Sequence, residues 1–168
     1  MDAASDAGLF VPARGDRFQQ QRKVFGVMPF TIKVSSRDTA GRLLVIEQDN
    51  AYPGGPPRHV HHEQEEWFCA VHGTYVVEVG GRAHLLTAGD SVLAPRGVPH
   101  SWALEGDEPG RLLIAFTPAG TMEEFFAATA DMAGMPAPAE LAPLFAAHGM
   151  AVTGPPLRGQ SSTAGTLM

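Results

Sequence analysis

Residues 54–73 read GGPPRHVHHEQEEWFCAVHG, and they place His59, His61, His62, Glu63, Glu65 and Glu66 within eight positions. Imidazoles and carboxylates at this density suit a metal ion better than core packing. His59 and His61 are two apart on an expected strand, so their rings project from one face. Glu66 lies five positions beyond His61, an odd separation, so the polar segment 62–65 has to turn and reset the parity. His100 follows the bend Pro95-Arg96-Gly97 and can return from another strand as a fourth ligand. Three imidazoles and one carboxylate suit one divalent transition ion (Fe, Mn, Ni, Co, Cu or Zn) with positions left for water or substrate. A surface loop that holds His and Glu without an ion is the alternative for the first cluster alone, and the segment ending at His100 argues against it.

Working outward, Phe30, Ile32 and Val34 alternate with polar residues in the period of a half-buried strand. Further short strands are expected over 43–48, 58–61, 66–71, 74–79, 82–87, 91–94, 100–104 and 111–117. Gly80-Gly81 is a two-residue hairpin turn that tolerates positive φ. Short strands without intervening helices argue for an antiparallel sandwich or barrel. The class changes after residue 120: Thr121 is a candidate N-cap for a helix to about 132, with Glu123 and Glu124 suiting its dipole. A second helix over 139–148 ends at Gly149, with Pro143 a warning that it is shorter. The expected organisation is an N-terminal arm over 1–22 with a docking segment at Leu9, Phe10 and Val11, a β-barrel over 23–120, a helical segment over 121–150 and a tail over 151–168.

The composition narrows the partners. The 19 glycines and 14 prolines make up about a fifth of the 168 residues, which favours many turns. A net charge of -6 with scattered Lys and Arg offers no footprint for nucleic acid or an anionic membrane. The single Cys69 cannot form an internal disulfide, and no signal peptide or membrane span is visible, so a reducing cytoplasm is the expected location.

Two spaced motifs resemble those of the cupin superfamily. His59-Val60-His61, four residues, Glu66, six residues and Gly73 resembles the first; Gly89, five residues, Pro95, one residue, Gly97, two residues and His100 resembles the second. Gly54 stands one position closer to the first histidine than the usual glycine, and Leu104 replaces the asparagine that often closes the second motif. Neither departure removes a metal ligand. The resemblance implies a mainly β, double-stranded β-barrel of the cupin or jelly-roll type, with the metal inside and the C-terminal helices packed outside. Within the superfamily, single-domain quercetin-dioxygenase-like cupins look most similar, through the string from Pro56 to Phe68.

On this resemblance the expected ligands are His59, His61, Glu66 and His100, with Glu66 doubling as a catalytic base. Glu65 competes with Glu66, while His62 points away from His61. Phe30, Ile32, Ile46, Phe68, Trp102 and Phe116 are expected in the core, where they also form a substrate pocket suited to an apolar or aromatic small molecule. With Glu66, Phe68 and Ala70 inward, Trp67, Cys69 and Val71 form an apolar outer face. A second subunit making a homodimer, or packing within one chain, would cover it. The leading functional expectation is a metal-dependent oxygenase acting on an enolizable or aromatic substrate. A metal-dependent isomerase, lyase or cyclase and a non-catalytic ligand-binding module are the alternatives.

Overall fold

The computed structural model describes residues 8–158. Two antiparallel sheets face each other as in a jelly roll. One has six strands in the order β1 (Arg22–Val24), β2 (Met28–Val34), β3 (Leu44–Asn50), β10 (Gly110–Thr117), β5 (Glu65–His72) and β8 (Ser91–Ala94). The other has five, in the order β11 (Met150–Pro156), β4 (Pro57–His61), β9 (His100–Glu105), β6 (Thr74–Val79) and β7 (Arg82–Leu86). Two helices follow β10: α1 (Met122–Thr129), which packs against β1, and α2 (Pro138–Ala146), which packs against β11. They lie outside the sheets and close the side where the edge strands β1 and β11 stand. Among the described residues no helix is long and apolar enough to cross a membrane.

The strands form where side chains alternate. On β3, Leu44, Ile46, Gln48 and Asn50 are buried while the residues between them are partly exposed; on β5, Glu66, Phe68 and Ala70 are inward. Phe30, Ile32, Ile46, Phe68, Trp102 and Phe116 all lie in the core. Gly80 and Gly81 have φ of 58° and 80°, the left-handed pair that a tight hairpin between β6 and β7 requires. Trp67, Cys69 and Val71 are half-buried on the outer face, with Leu113 opposite Cys69 and Leu93 opposite Trp67. The dimer expected on this face stays a proposal, tested by the molar mass in solution.

Several expectations need correction. Residues 150–156, expected in the last helical segment and the tail, form β11, which pairs with β4. Its Gly-Pro-Pro end is tolerated because β11 is an edge strand whose register shifts at Gly154 and Pro156. The rest of the expected tail, 159–168, lies outside the described residues, as do residues 1–7 of the expected arm. Thr121 makes no side-chain cap bond; its hydroxyl instead lies 3.1 Å from His148 Nδ1, tying the end of α2 to the start of α1. Helix α2 begins at Pro138, whose fixed φ suits a first helical position, and Pro143 lies inside it. Leu9 and Phe10 are exposed rather than docked.

The segment before β1 is held by one buried carboxylate. Asp16 accepts hydrogen bonds from the backbone amides of Phe18 (2.8 Å), Gln20 (3.2 Å) and Ile32 (2.9 Å), and from Arg22 Nε (2.9 Å). Burial alone would raise its pKa, but the amides of Ile32, Phe18 and Gln20 and the Arg22 guanidinium outweigh it and hold it below the ordinary value. A depressed folded-state pKa gives stability that is complete above the unfolded value of about 3.9 and is lost as pH falls through the folded one. Asp16→Asn is therefore expected to cost about 1–3 kcal/mol near neutral pH, with the difference from the wild type shrinking below about pH 4. Urea denaturation midpoints across that range measure it, and a pH-independent difference would contradict the anchoring role.

Candidate metal centre

The turn at residues 62–64 carries the chain from β4 in one sheet to β5 in the other, so His59 and His61 face Glu66 across the interior. His100, at the start of β9, is paired directly with His59. One ligand atom from each of His59, His61, Glu66 and His100 lies within 4.8 Å of the others, and all four residues are buried. Glu66 Oε2 is 2.7 Å from His100 Nε2, 3.0 Å from His61 Nε2 and 3.7 Å from His59 Nε2. The competitor Glu65 points outward into a bidentate pair with Arg96. His62 and Glu63 are exposed.

The remaining ring nitrogens settle what the cluster can hold. Nδ1 of His59 lies 2.8 Å from the Pro57 carbonyl, Nδ1 of His61 lies 2.9 Å from Gln64 Oε1, and Nδ1 of His100 lies 2.9 Å from the Val98 carbonyl. The Gln64 amide is oriented by its own donations to the carbonyls of Pro118 (2.8 Å) and Ala119 (2.6 Å). Each Nδ1 therefore donates to an oxygen that can only accept, and neutral rings so arranged present an Nε2 lone pair to the centre.

Three lone pairs around a buried carboxylate repel one another unless a cation stands among them. His61 Nε2 is buried and makes no hydrogen bond, although Glu66 Oε2 is within 3.0 Å, because the two are not aligned for one. This orphaned nitrogen and the uniform donor set fit a divalent transition ion.

Without a metal ion, protons have to supply the positive charge. Burial works against a charged His100, but the hydrogen bond and negative charge of Glu66 outweigh it and push its pKa up. Burial dominates at His59 and pushes its pKa down against the pull of Glu66. For Glu66, burial is outweighed by the charge of His61 and by the hydrogen bond from His100, with His59 also close by, and its carboxyl is held well below the usual range.

A cavity of about 60 Å³ opens beside the cluster, lined by His59, His61 and Glu66 and by a largely apolar wall. Of the six residues expected to form a substrate pocket, Trp102 and Phe116 are on that wall. Phe30, Ile32, Ile46 and Phe68 stand behind it as core, Phe68 with its ring 5.9 Å from that of His100. The helices take the place those side chains were expected to fill. Met122, Phe125 and Phe126 from α1 and Phe145 from α2 line the cavity, with Phe145 edge-on to His59 at 5.6 Å. Helix α1 is seated by Glu123, which accepts from Ser35 Oγ (2.9 Å) and the Ser36 amide (2.8 Å). Nothing in the sequence showed that Met122, Phe125 and Phe126 of α1 reach the histidines.

Gln64 was legible only as a turn residue. It orients His61 and ties it to the loop that leads into α1. Gln64→Leu is expected to weaken metal binding by about 10–100-fold, since it frees the His61 ring. Gln64→Glu, which keeps an acceptor for His61 Nδ1, should bind more tightly than the leucine variant. Competition against a chromophoric chelator measures both, and equal affinities for wild type and Gln64→Leu would remove the role.

Residues 51–116 match the family model for the cupin domain. The two-sheet fold and the spaced ligand motifs agree with that match. Among solved structures, KdgF from a Halomonas species is 19% identical, with 66% of this chain and 93% of that one covered at a TM-score of 0.52, and shares the fold. The protein TT1209 from Thermus thermophilus is 28% identical over 54% of this chain and 83% of that one, with a TM-score of 0.48. An RmlC-like cupin from Shewanella frigidimarina is 24% identical over 60% and 84%, with a TM-score of 0.49. Comparison with curated protein sequences finds no significant match.

Proposed function

We propose that the protein is a metal-dependent dioxygenase of the quercetinase-like type, acting on an enolizable or aromatic small molecule. The observation that carries this reading is a three-histidine, one-glutamate donor set opening onto an apolar, aromatic-walled cavity. A divalent ion bound there would supply Lewis acidity and an electron path between a deprotonated substrate and O₂. His59, His61, Glu66 and His100 would hold that ion, each histidine oriented through its Nδ1. Glu66, on partly leaving the ion, would take the proton of a substrate hydroxyl. Aromatic side chains exclude water and favour a flat, uncharged substrate. Dioxygenation consumes O₂ itself as the oxidant and places both its atoms in the product, so no external reductant is required.

The isomerase, lyase and cyclase alternative asks for proton transfers at more than one site. Among the described residues lining the cavity, Glu66 is the one carboxylate, and no Lys, Tyr, Ser or Asp accompanies it. That favours one deprotonation followed by reaction with O₂. The cavity is smaller than the about 150 Å³ that accommodates benzene in an apolar interior, so a substrate enters by displacing the helical part of the wall.

The test is oxygen uptake by protein reconstituted separately with iron, manganese, cobalt, nickel, copper and zinc, against a panel of flavonols, hydroxyketones and catechols. Uptake that depends on both metal and substrate supports the proposal. A fully metallated protein that turns over a substrate anaerobically replaces it with the non-redox alternative.

A further inference from the structure

We infer that Gln48 is a recognition group at the end of the cavity away from the metal-ligand cluster, where its side-chain amide reads a neutral hydroxyl or carbonyl on the bound molecule. This rests on the reading of the cluster as a metal centre. Gln48 lies on β3, in the middle of the six-stranded sheet, between Leu112 of β10 and Phe30 of β2. It is 4% exposed and lines the same cavity as His59, His61 and Glu66. An aliphatic side chain would suit that position by the pattern of β3, in which Leu44 and Ile46 precede it inward.

The polar neighbour on the same strand, Asn50, is accounted for by the Tyr75 hydroxyl, which donates to its Oδ1 at 2.9 Å. Gln48 is not accounted for in this way. Its side-chain amide donates through Nε2 to the Met28 sulfur at 3.7 Å, a weak acceptor. An amide held only by sulfur on the wall of an apolar cavity would gain from a ligand hydroxyl or carbonyl, and Gln48 is matched to one.

Its place on the sheet sets the shape of that ligand. Glu66 is opposite Phe116, which is opposite Leu44, and Gln48 is four residues beyond Leu44. Four residues of strand span roughly 14 Å, so the two polar ends of the cavity are held apart by the apolar wall between them. The molecule that fits carries metal-binding oxygens at one end, a flat apolar body, and a neutral hydrogen-bonding group at the other. A charged group there would meet no counter-charge and would lose its hydration.

The probes are kojic acid and allomaltol, two hydroxypyranones that chelate through the same hydroxyketone and differ in bearing a distal hydroxymethyl or a methyl group. Both are titrated into the cobalt-loaded full chain and followed by the visible cobalt bands. Wild type is expected to bind kojic acid more tightly by roughly three- to tenfold, the net effect of one added hydrogen bond. Gln48→Leu is expected to abolish that preference with little change for allomaltol. Gln48→Met, which also lacks the amide but fills the space differently, should do the same, and a thermal melt of each variant checks that it is folded.

Equal affinities in wild type, or a preference that survives both substitutions, would overturn the role of Gln48. A cobalt spectrum that neither probe alters overturns it as well and leaves the metal centre standing. Failure of wild type to take up cobalt overturns the metal reading on which the inference rests.

Discussion

His61→Ala is expected to lower metal affinity by more than about 100-fold, beyond the 10–100-fold that loss of a supporting hydrogen bond costs. The side chain is 1% exposed, and its Nε2 is the buried nitrogen without a hydrogen bond. Removing it takes away one donor, leaves Gln64 Oε1 without its partner, and opens space next to Phe116, whose ring is 5.7 Å away. In the wild type, an ion that binds only the folded chain adds stability by mass action, about 4 kcal/mol at a thousandfold excess over Kd. The variant should show almost none of this. Metal content of protein purified without chelator or immobilised nickel, and thermal melts with and without added cobalt, measure the two effects. One ion per chain at wild-type affinity in His61→Ala would exclude this histidine as a ligand.

Phe125→Ala is expected to have the largest effect on stability, about 3–5 kcal/mol, a large share of what a domain of this size possesses. Phe125 is 4% exposed and meets the rings of Phe25 at 6.0 Å, Phe126 at 5.6 Å, Phe145 at 5.4 Å and His148 at 5.6 Å. It thus joins α1 to α2 and to the turn after β1. Its loss should loosen the helical side of the cavity more than the sheets, because those contacts are all with residues outside the central strands. Urea denaturation gives the global cost. Hydrogen exchange should accelerate over 122–146 while β5 and β10 stay protected; uniform acceleration across the chain would show instead that the helices and sheets open together.

The fold was legible because alternation is a local signal. Phe30, Ile32 and Val34 or Glu66, Phe68 and Ala70 announce which face is inward wherever the strand has a core on one side. The four candidate ligands were legible for the same reason, since two on one strand, one after a turn and one after a bend are spacings along the chain. Strand β11 was not, because Gly154, Pro155 and Pro156 carry the marks of a loop and only the presence of β4 beside them makes a strand. The cavity wall was half legible. Trp102 and Phe116 reach it, whereas Phe30, Ile32, Ile46 and Phe68 give way to aromatic residues that arrive from helices distant in sequence.

By itself, then, the stretch from His59 to Gly73, taken with His100, determined the strand parity and the candidate ligands, and the run of short strands around it the mainly β architecture, all of which follow from the period of the backbone and the chemistry of each side chain. The tertiary structure decided the rest: that Gln64 orients His61, that α1 and α2 close the open side of the sheets, and that Gln48 lines the cavity with its amide on the Met28 sulfur. Those features depend on contacts between residues far apart in the chain, and a spacing pattern carries no information about which distant surface will meet it.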